Sequence, residues 1–249
     1  MKMLFAILFA TVLPATPLSA QTLPDVKGFL ESRPPTKAAS RSVSYRVAFH
    51  SSHREKPKHV FQDSGSLRLG KTDQGAIWVA ATQPPSEFKI GETTPSPEGE
   101  RWFKELCEPS RMNPWVDAGA FLSGLISKLP LKAQEVPAKG VGEPGDQILV
   151  YRLEAPRPVA KIWRFKSISG EARLQVRKDG APVSLQIIQS YSGDLSPRFG
   201  RYMLNRRETW TFAVGEGQVH ATKYQLFQRR QDWKNYFEVD VEMTGGALP

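Results

Sequence analysis

Residues 171–187 read EARLQVRKDGAPVSLQI, and the fold is decided there. In an extended chain Leu174 and Val176 fall on one face, and Arg173, Gln175 and Arg177 on the other. Asp179-Gly180 follows, a strong hairpin signal because the favoured two-residue turn needs positive φ at both central positions. Val183, Leu185 and Ile187 then point one way, and Ser184 and Gln186 the other. Such alternation marks an antiparallel sheet with one face packed and the other exposed or lining a groove.

The same pattern extends in both directions. Downstream, Arg201 to Val214 is long and strand-like, Gly215 to Gly217 turns the chain, and Gln218 to Gln228 runs back. Tyr236 to Thr244 forms a last strand with Phe237, Val239, Val241 and Met243 on one face. Upstream, Val43, Tyr45, Val47 and Phe49 alternate with Ser44, Arg46 and Ala48. Val60–Leu69, Ala76–Ala81, Gln147–Leu153 and Val159–Phe165 read as further strands. Leu23–Ser32 has helical spacing and stops at Pro34-Pro35. Asn113-Pro114-Trp115 has the form of a helix start, and the nearly uncharged stretch from 114 to 129 carries Phe121, Leu122, Leu125 and Ile126 near one face. Thr82–Glu100, rich in Pro, Ser, Thr, Gly and Glu, reads as a long surface loop. The expected fold is α+β: a strongly curved, mostly antiparallel sheet, a half-barrel, with one main helix packed on its concave face. A closed barrel and a sandwich are the alternatives.

Lys2, the apolar run Met3–Leu13 and the small residues up to Ala20 have the form of a secretory signal, with cleavage expected near Ala20. The expected organisation is a signal peptide over 1–20, a single domain over 21–244 and a loose tail over 245–249. An exported, periplasmic, soluble protein follows, expected as a monomer. Cys107 is the one cysteine, so no internal disulfide can form and the fold must rely on packing. The formal net charge is +9, and it is uneven: residues 151–235 carry sixteen Lys and Arg against seven Asp and Glu. A basic C-terminal half suits an anionic envelope surface. Export and the lack of any recognised motif speak against nucleic acid.

Few residues announce chemistry. His50, His53 and His59 lie close in sequence but lack a compact metal-ligand spacing, so no metal is expected. Nucleophile elbows and glycine-rich phosphate loops are missing, and no cofactor is expected. The long strand is the exception. Tyr202, Leu204, Trp210, Phe212 and Val214 share a face, and period-two counting puts Arg206 and Glu208 on that same face. Either the two form a pair lining a cavity for a polar head group, or a bulge turns both outward.

Four stretches together resemble the periplasmic lipoprotein-carrier and lipoprotein-receptor superfamily. They are Val43–Phe49 after a first helix, Gly65–Leu69, the helix Pro114–Leu129, and the hairpin Leu174–Ile187 with Asp179-Gly180 at its turn. The resemblance implies an incomplete barrel closed by helices, and binding and transfer of an acylated or lipidic ligand without catalysis. Arg46 lies on a strand comparable to the one bearing the arginine that contacts the lid in those carriers, but out of phase with the apolar face. The Pro-rich Thr82–Glu100 departs from the compact pattern. The expected ligand-binding residues are Tyr45, Phe49, Trp115, Phe121, Leu125, Arg206, Glu208, Trp210 and Phe212. The alternatives are a structural or protein-interaction module of the cell envelope, and a hydrolase or lyase acting on envelope material.

Overall fold

The computed structural model describes residues 25–33, 40–53, 56–72, 74, 76–81, 101, 104, 106–108, 111–127, 134–137, 146–153, 164–196, 200–215, 217–232 and 234–245. The expected leader, the loop 82–100 and the tail from 246 lie outside them.

Among the described residues, ten strands form one sheet. They are β1 (Ser40–His53), β2 (Lys56–Lys71), β3 (Ile77–Ala81), β4 (Gln134–Pro137), β5 (Gln147–Arg152), β6 (Arg164–Val176), β7 (Pro182–Ser196), β8 (Gly200–Gly215), β9 (Gln218–Gln231) and β10 (Asn235–Gly245). The order across the sheet is β3-β2-β1-β10-β9-β8-β7-β6-β5-β4, and every neighbouring pair is antiparallel. Sheet neighbours are therefore chain neighbours, except that β1 pairs with β10, while the consecutive β3 and β4 lie at opposite edges.

The expected half-barrel is corrected here. The sheet is open, ending in β3 on one side and β4 on the other, and it is neither closed nor strongly curled. Strong curvature is introduced by bulges and glycine kinks within strands. Two adjoining pairs lack such breaks: β1 and β10 run in unbroken register from Val43↔Gly245 to His53↔Asn235, and β10 and β9 from Tyr236↔Gln231 to Thr244↔Lys223. Period-two alternation specifies which face is packed. It does not specify how far that face bends.

The 171–187 hairpin forms as β6 and β7, with a turn one residue longer than expected. The Gly180 N–H donates to the Arg177 carbonyl at 3.0 Å, so Lys178 and Asp179 are the central residues of the turn. Gly180 follows with φ of 85°, and the Asp179 carboxylate accepts from the Ala181 N–H at 3.0 Å. A turn followed by one left-handed residue is the usual three-residue hairpin connection.

One face of the sheet is apolar and carries the helices. Val43, Val47, Phe49, Leu69, Leu174, Leu185, Trp210, Leu226, Val239, Val241 and Met243 are buried there in one continuous cluster. The other face is polar, with ladders such as Ser190–Asn205 at 2.8 Å and Ser167–Ser192 at 2.8 Å, and ion pairs Lys223–Glu242 and Arg229–Glu238. That division is what a half-solvated antiparallel sheet requires.

The expected helix 114–129 is two helices, α2 (Asn113–Val116) and α3 (Ala118–Ile126), after α1 (Val26–Glu31). Asp117 separates them, with φ −152° and ψ 72°. Its carboxylate caps α3 by accepting from the Ala120 N–H at 3.0 Å and pairs with Lys71 of β2 at 2.5 Å. Helix α2 packs on β9, β2 and β1, α3 on β9, and α1 on α3. Trp115 of α2 is fully buried, edge-on to Trp210 of β8 with ring centroids 5.8 Å apart.

Two glycines should respond in opposite directions. Gly124 sits in α3 with open space where a side chain would go. Gly124→Ala should therefore raise the unfolding free energy by about 0.5–1 kcal/mol. At Gly180 a Cβ would meet the Asp25 carbonyl oxygen at 2.7 Å, in a left-handed backbone. Gly180→Ala should lower stability by about 2 kcal/mol or more, since the left-handed strain alone costs roughly 1–2. Urea denaturation of both variants measures this.

Candidate functional site

The apolar face and the helices leave a cavity of about 280 Å³ between them. Its floor is the sheet: Ile187 on β7, Arg206, Glu208 and Trp210 on β8, and Tyr224 on β9. Its roof is Phe121 of α3 with Leu106, Arg111 and Met112 from the segment leading into α2. That segment is held by the N–H groups of Arg111 and Met112, which donate to the Glu108 carbonyl at 2.9 and 3.2 Å.

Arg206 and Glu208 face inward because β8 keeps its register along that stretch. The register shift against β9 falls between Thr211 and Phe212, beyond the pair, and the one against β7 falls at Asp194/Ser196. The bulge that would have turned both outward is therefore not there. Arg207 lies on the opposite, polar face, where it is exposed and pairs with Ile188 and Phe227.

Two charged groups so placed must compensate each other. Arg206 Nη2 meets Glu208 Oε1 at 2.5 Å, with side chains 29% and 16% exposed. The Tyr224 hydroxyl donates to Glu208 Oε2 at 3.3 Å. Burial, and then the charge of Glu208, hold the Tyr224 phenol well above its ordinary range, so it stays a neutral donor. Trp210 stacks obliquely on the Tyr224 ring at 4.2 Å and on Phe121 at 6.0 Å, which fixes the aromatic side of the cavity. Arg206 Nε is buried without a protein partner, and so is the hydroxyl of Tyr191 on β7.

Of the nine residues expected to bind ligand, Phe121, Arg206, Glu208 and Trp210 line this cavity. The other five do not. Tyr45 is buried on β1 and donates to the Asp63 carboxylate at 2.9 Å. Phe49 is buried edge-on to Phe237 at 4.9 Å. Trp115 and Phe212 are in the core, and Leu125 packs against it. Tyr224, Arg111, Met112 and Leu106 were not expected. Tyr224 shares the β9 face of Leu226, a signal present in the sequence. Arg111 and Met112 follow no period, so nothing in the sequence placed them. Arg46 is exposed on the polar face.

One residue beyond Leu106, Cys107 lies near the buried Asp63. Burial, and then the Asp63 charge, push its thiol up to about 12. Among the described residues no three His, Cys, Asp or Glu are grouped as a metal site would need. Several cations of the basic half are matched by carboxylates: Arg173 by Glu171, Lys223 by Glu242 and Arg229 by Glu238.

No family model matches the chain, and no curated protein does. Among solved structures there is a weak, low-identity match to a LolA superfamily protein from Nitrosomonas europaea, at 12% identity and a TM-score of 0.21, covering 90% of this chain and 93% of that one. At that score the superposition is loose, and the chemistry of the site has to come from its own residues.

A thiol whose folded value lies above its unfolded one, near 9, binds its proton more tightly when folded. The stability it contributes is complete below pH 9 and is lost as pH rises toward 12. Tyr45 and Tyr224, both raised above 10, add the same trend at higher pH. Stability should thus fall from pH 9 to 10 with a slope of at most about 1.4 kcal/mol per pH unit. Cys107→Ala should flatten that interval in urea titrations at stepped pH. At pH 8 the native thiol should also react with iodoacetamide roughly a thousandfold more slowly than the unfolded chain, because only the thiolate attacks.

Proposed function

We propose that this protein binds a lipidic or other hydrophobic ligand in the cavity between sheet and helices, and that it does so without catalysing a reaction. The cavity itself carries the reading. The described core is largely one continuous apolar cluster, and close-packed interiors leave few voids of this size. A mostly apolar, aromatic lining with a few convergent polar groups is the usual make-up of a small-molecule site. The volume of about 280 Å³ is at the small end for such sites, which suits one acyl chain or a compact amphiphile rather than several chains.

Glu208 is the one carboxylate among the described lining residues, and Arg206 and Tyr224 already engage both its oxygens. Hydrolysis by paired carboxylates would need a second one. The segment 1–20 supports export, and with it a periplasmic encounter with envelope lipids.

The test is a neutral fluorescent probe, N-phenyl-1-naphthylamine, titrated into the full chain. Binding should be saturable, and Ile187→Trp, which fills the cavity from β7, should weaken it at least tenfold. Equal binding by the Ile187→Trp variant, or no saturable binding, would sink the proposal. Native mass spectrometry of protein purified from its own host without detergent should show an added mass that the variant lacks.

A further inference from the structure

We infer that the ligand is an anionic amphiphile with a single tail, its oxyanion head held by Arg206 and Arg111 and its tail lying against Phe121, Ile187 and Trp210. This deepens the preceding proposal and rests on it.

The argument is one of charge and of unused donors. The Arg206–Glu208 pair is neutral as a unit. Arg111 adds one positive charge at the rim, and among the described residues no carboxylate is paired with it. Among the described lining residues the balance is therefore one positive charge, and the rest are apolar or aromatic.

The spare hydrogen-bonding capacity has the same sign. Arg206 spends Nη2 on Glu208, and its Nε–H is buried with no acceptor. Diagonal to it across the β7–β8 ladder, though not among the residues that line the cavity, the Tyr191 hydroxyl is buried and also lacks a partner, on a residue only 2% exposed. A buried donor left unmade costs about 1–3 kcal/mol, and more on a charged group. The unpaired Arg206 donor, on a residue that lines the cavity, calls for an acceptor. A carboxylate, phosphate or sulfonate supplies several at once and cancels the spare charge, and a guanidinium fork matches that geometry. A neutral alcohol head supplies one oxygen and leaves the charge. A cationic head would face two arginines, with the Glu208 oxygens already taken.

The experiment is calorimetric titration of the full chain with four probes: decanoate, decyl phosphate, decanol and inorganic phosphate. Decanoate and decyl phosphate should bind at least tenfold more tightly than decanol, and inorganic phosphate at least a hundredfold more weakly than decyl phosphate. Arg206→Gln should remove most of the preference for the charged heads. Arg111→Gln, at an exposed position, should reduce it about threefold and keeps the test decisive should the Arg206 variant not fold. Raising the salt should narrow the gap between decanoate and decanol. Equal affinity for decanoate and decanol would overturn the head-group assignment while leaving a hydrophobic ligand in place. Inorganic phosphate binding as tightly as decyl phosphate would reduce the site to a plain anion site. Failure of all four probes would overturn this inference together with the proposal beneath it.

Discussion

The two oxygens of Asp117 decide how the helices meet the sheet. One caps α3 at the Ala120 N–H, and the other holds Lys71 of β2. The first bond starts a new helix where the chain would otherwise have continued α2. The second ties that start to a strand three places from β9, on which α3 rests. Both groups are mostly withdrawn from water, at 18% and 11% side-chain exposure, so the pair is costly to break and sets position more than it adds net stability. With Trp115 locked into the core on one side of Asp117 and Phe121 over Trp210 on the other, the roof of the cavity has little freedom to settle onto the floor.

The floor carries the matching constraint. An Arg and a Glu two residues apart on the packed side of a strand would be poor choices for a filled core. Apolar residues of similar volume usually do as well or better. Here the pair persists with a tyrosine held neutral beside it and two donors left over. Polar groups thus persist on a face whose other members are largely apolar or aromatic.

Much of this was legible in the residues. Alternation at Val43–Phe49, at Leu174–Ile187 and at Phe237–Met243 gives strands, faces and neighbours, because side-chain direction in a strand is fixed by counting. The same counting put Arg206 and Glu208 inside. What it left open was whether a bulge intervened, and bulges depend on partner strands that one strand does not reveal. The half-barrel failed for a related reason. Curvature belongs to the sheet as a whole, and the uninterrupted β1–β10–β9 ladders oppose it. Asp117 was hidden in plain sight: a capping residue reads as such only once a helix is known to begin after it. Tyr45, Phe49, Trp115 and Phe212 show the remaining difficulty, since a large aromatic residue on the packed face looks the same whether it meets a ligand or another side chain.

The junction of β1 with β10 bears on how the molecule comes into being. Every other adjacency in the sheet joins elements consecutive in the chain, but this one waits for the last strand to emerge. Until then the first three strands can make only a small meander with an unfinished inner border. Bringing such distant segments together is slow compared with closing hairpins. In a polypeptide built this way, the border of the first meander is completed only once its first and last strands have joined.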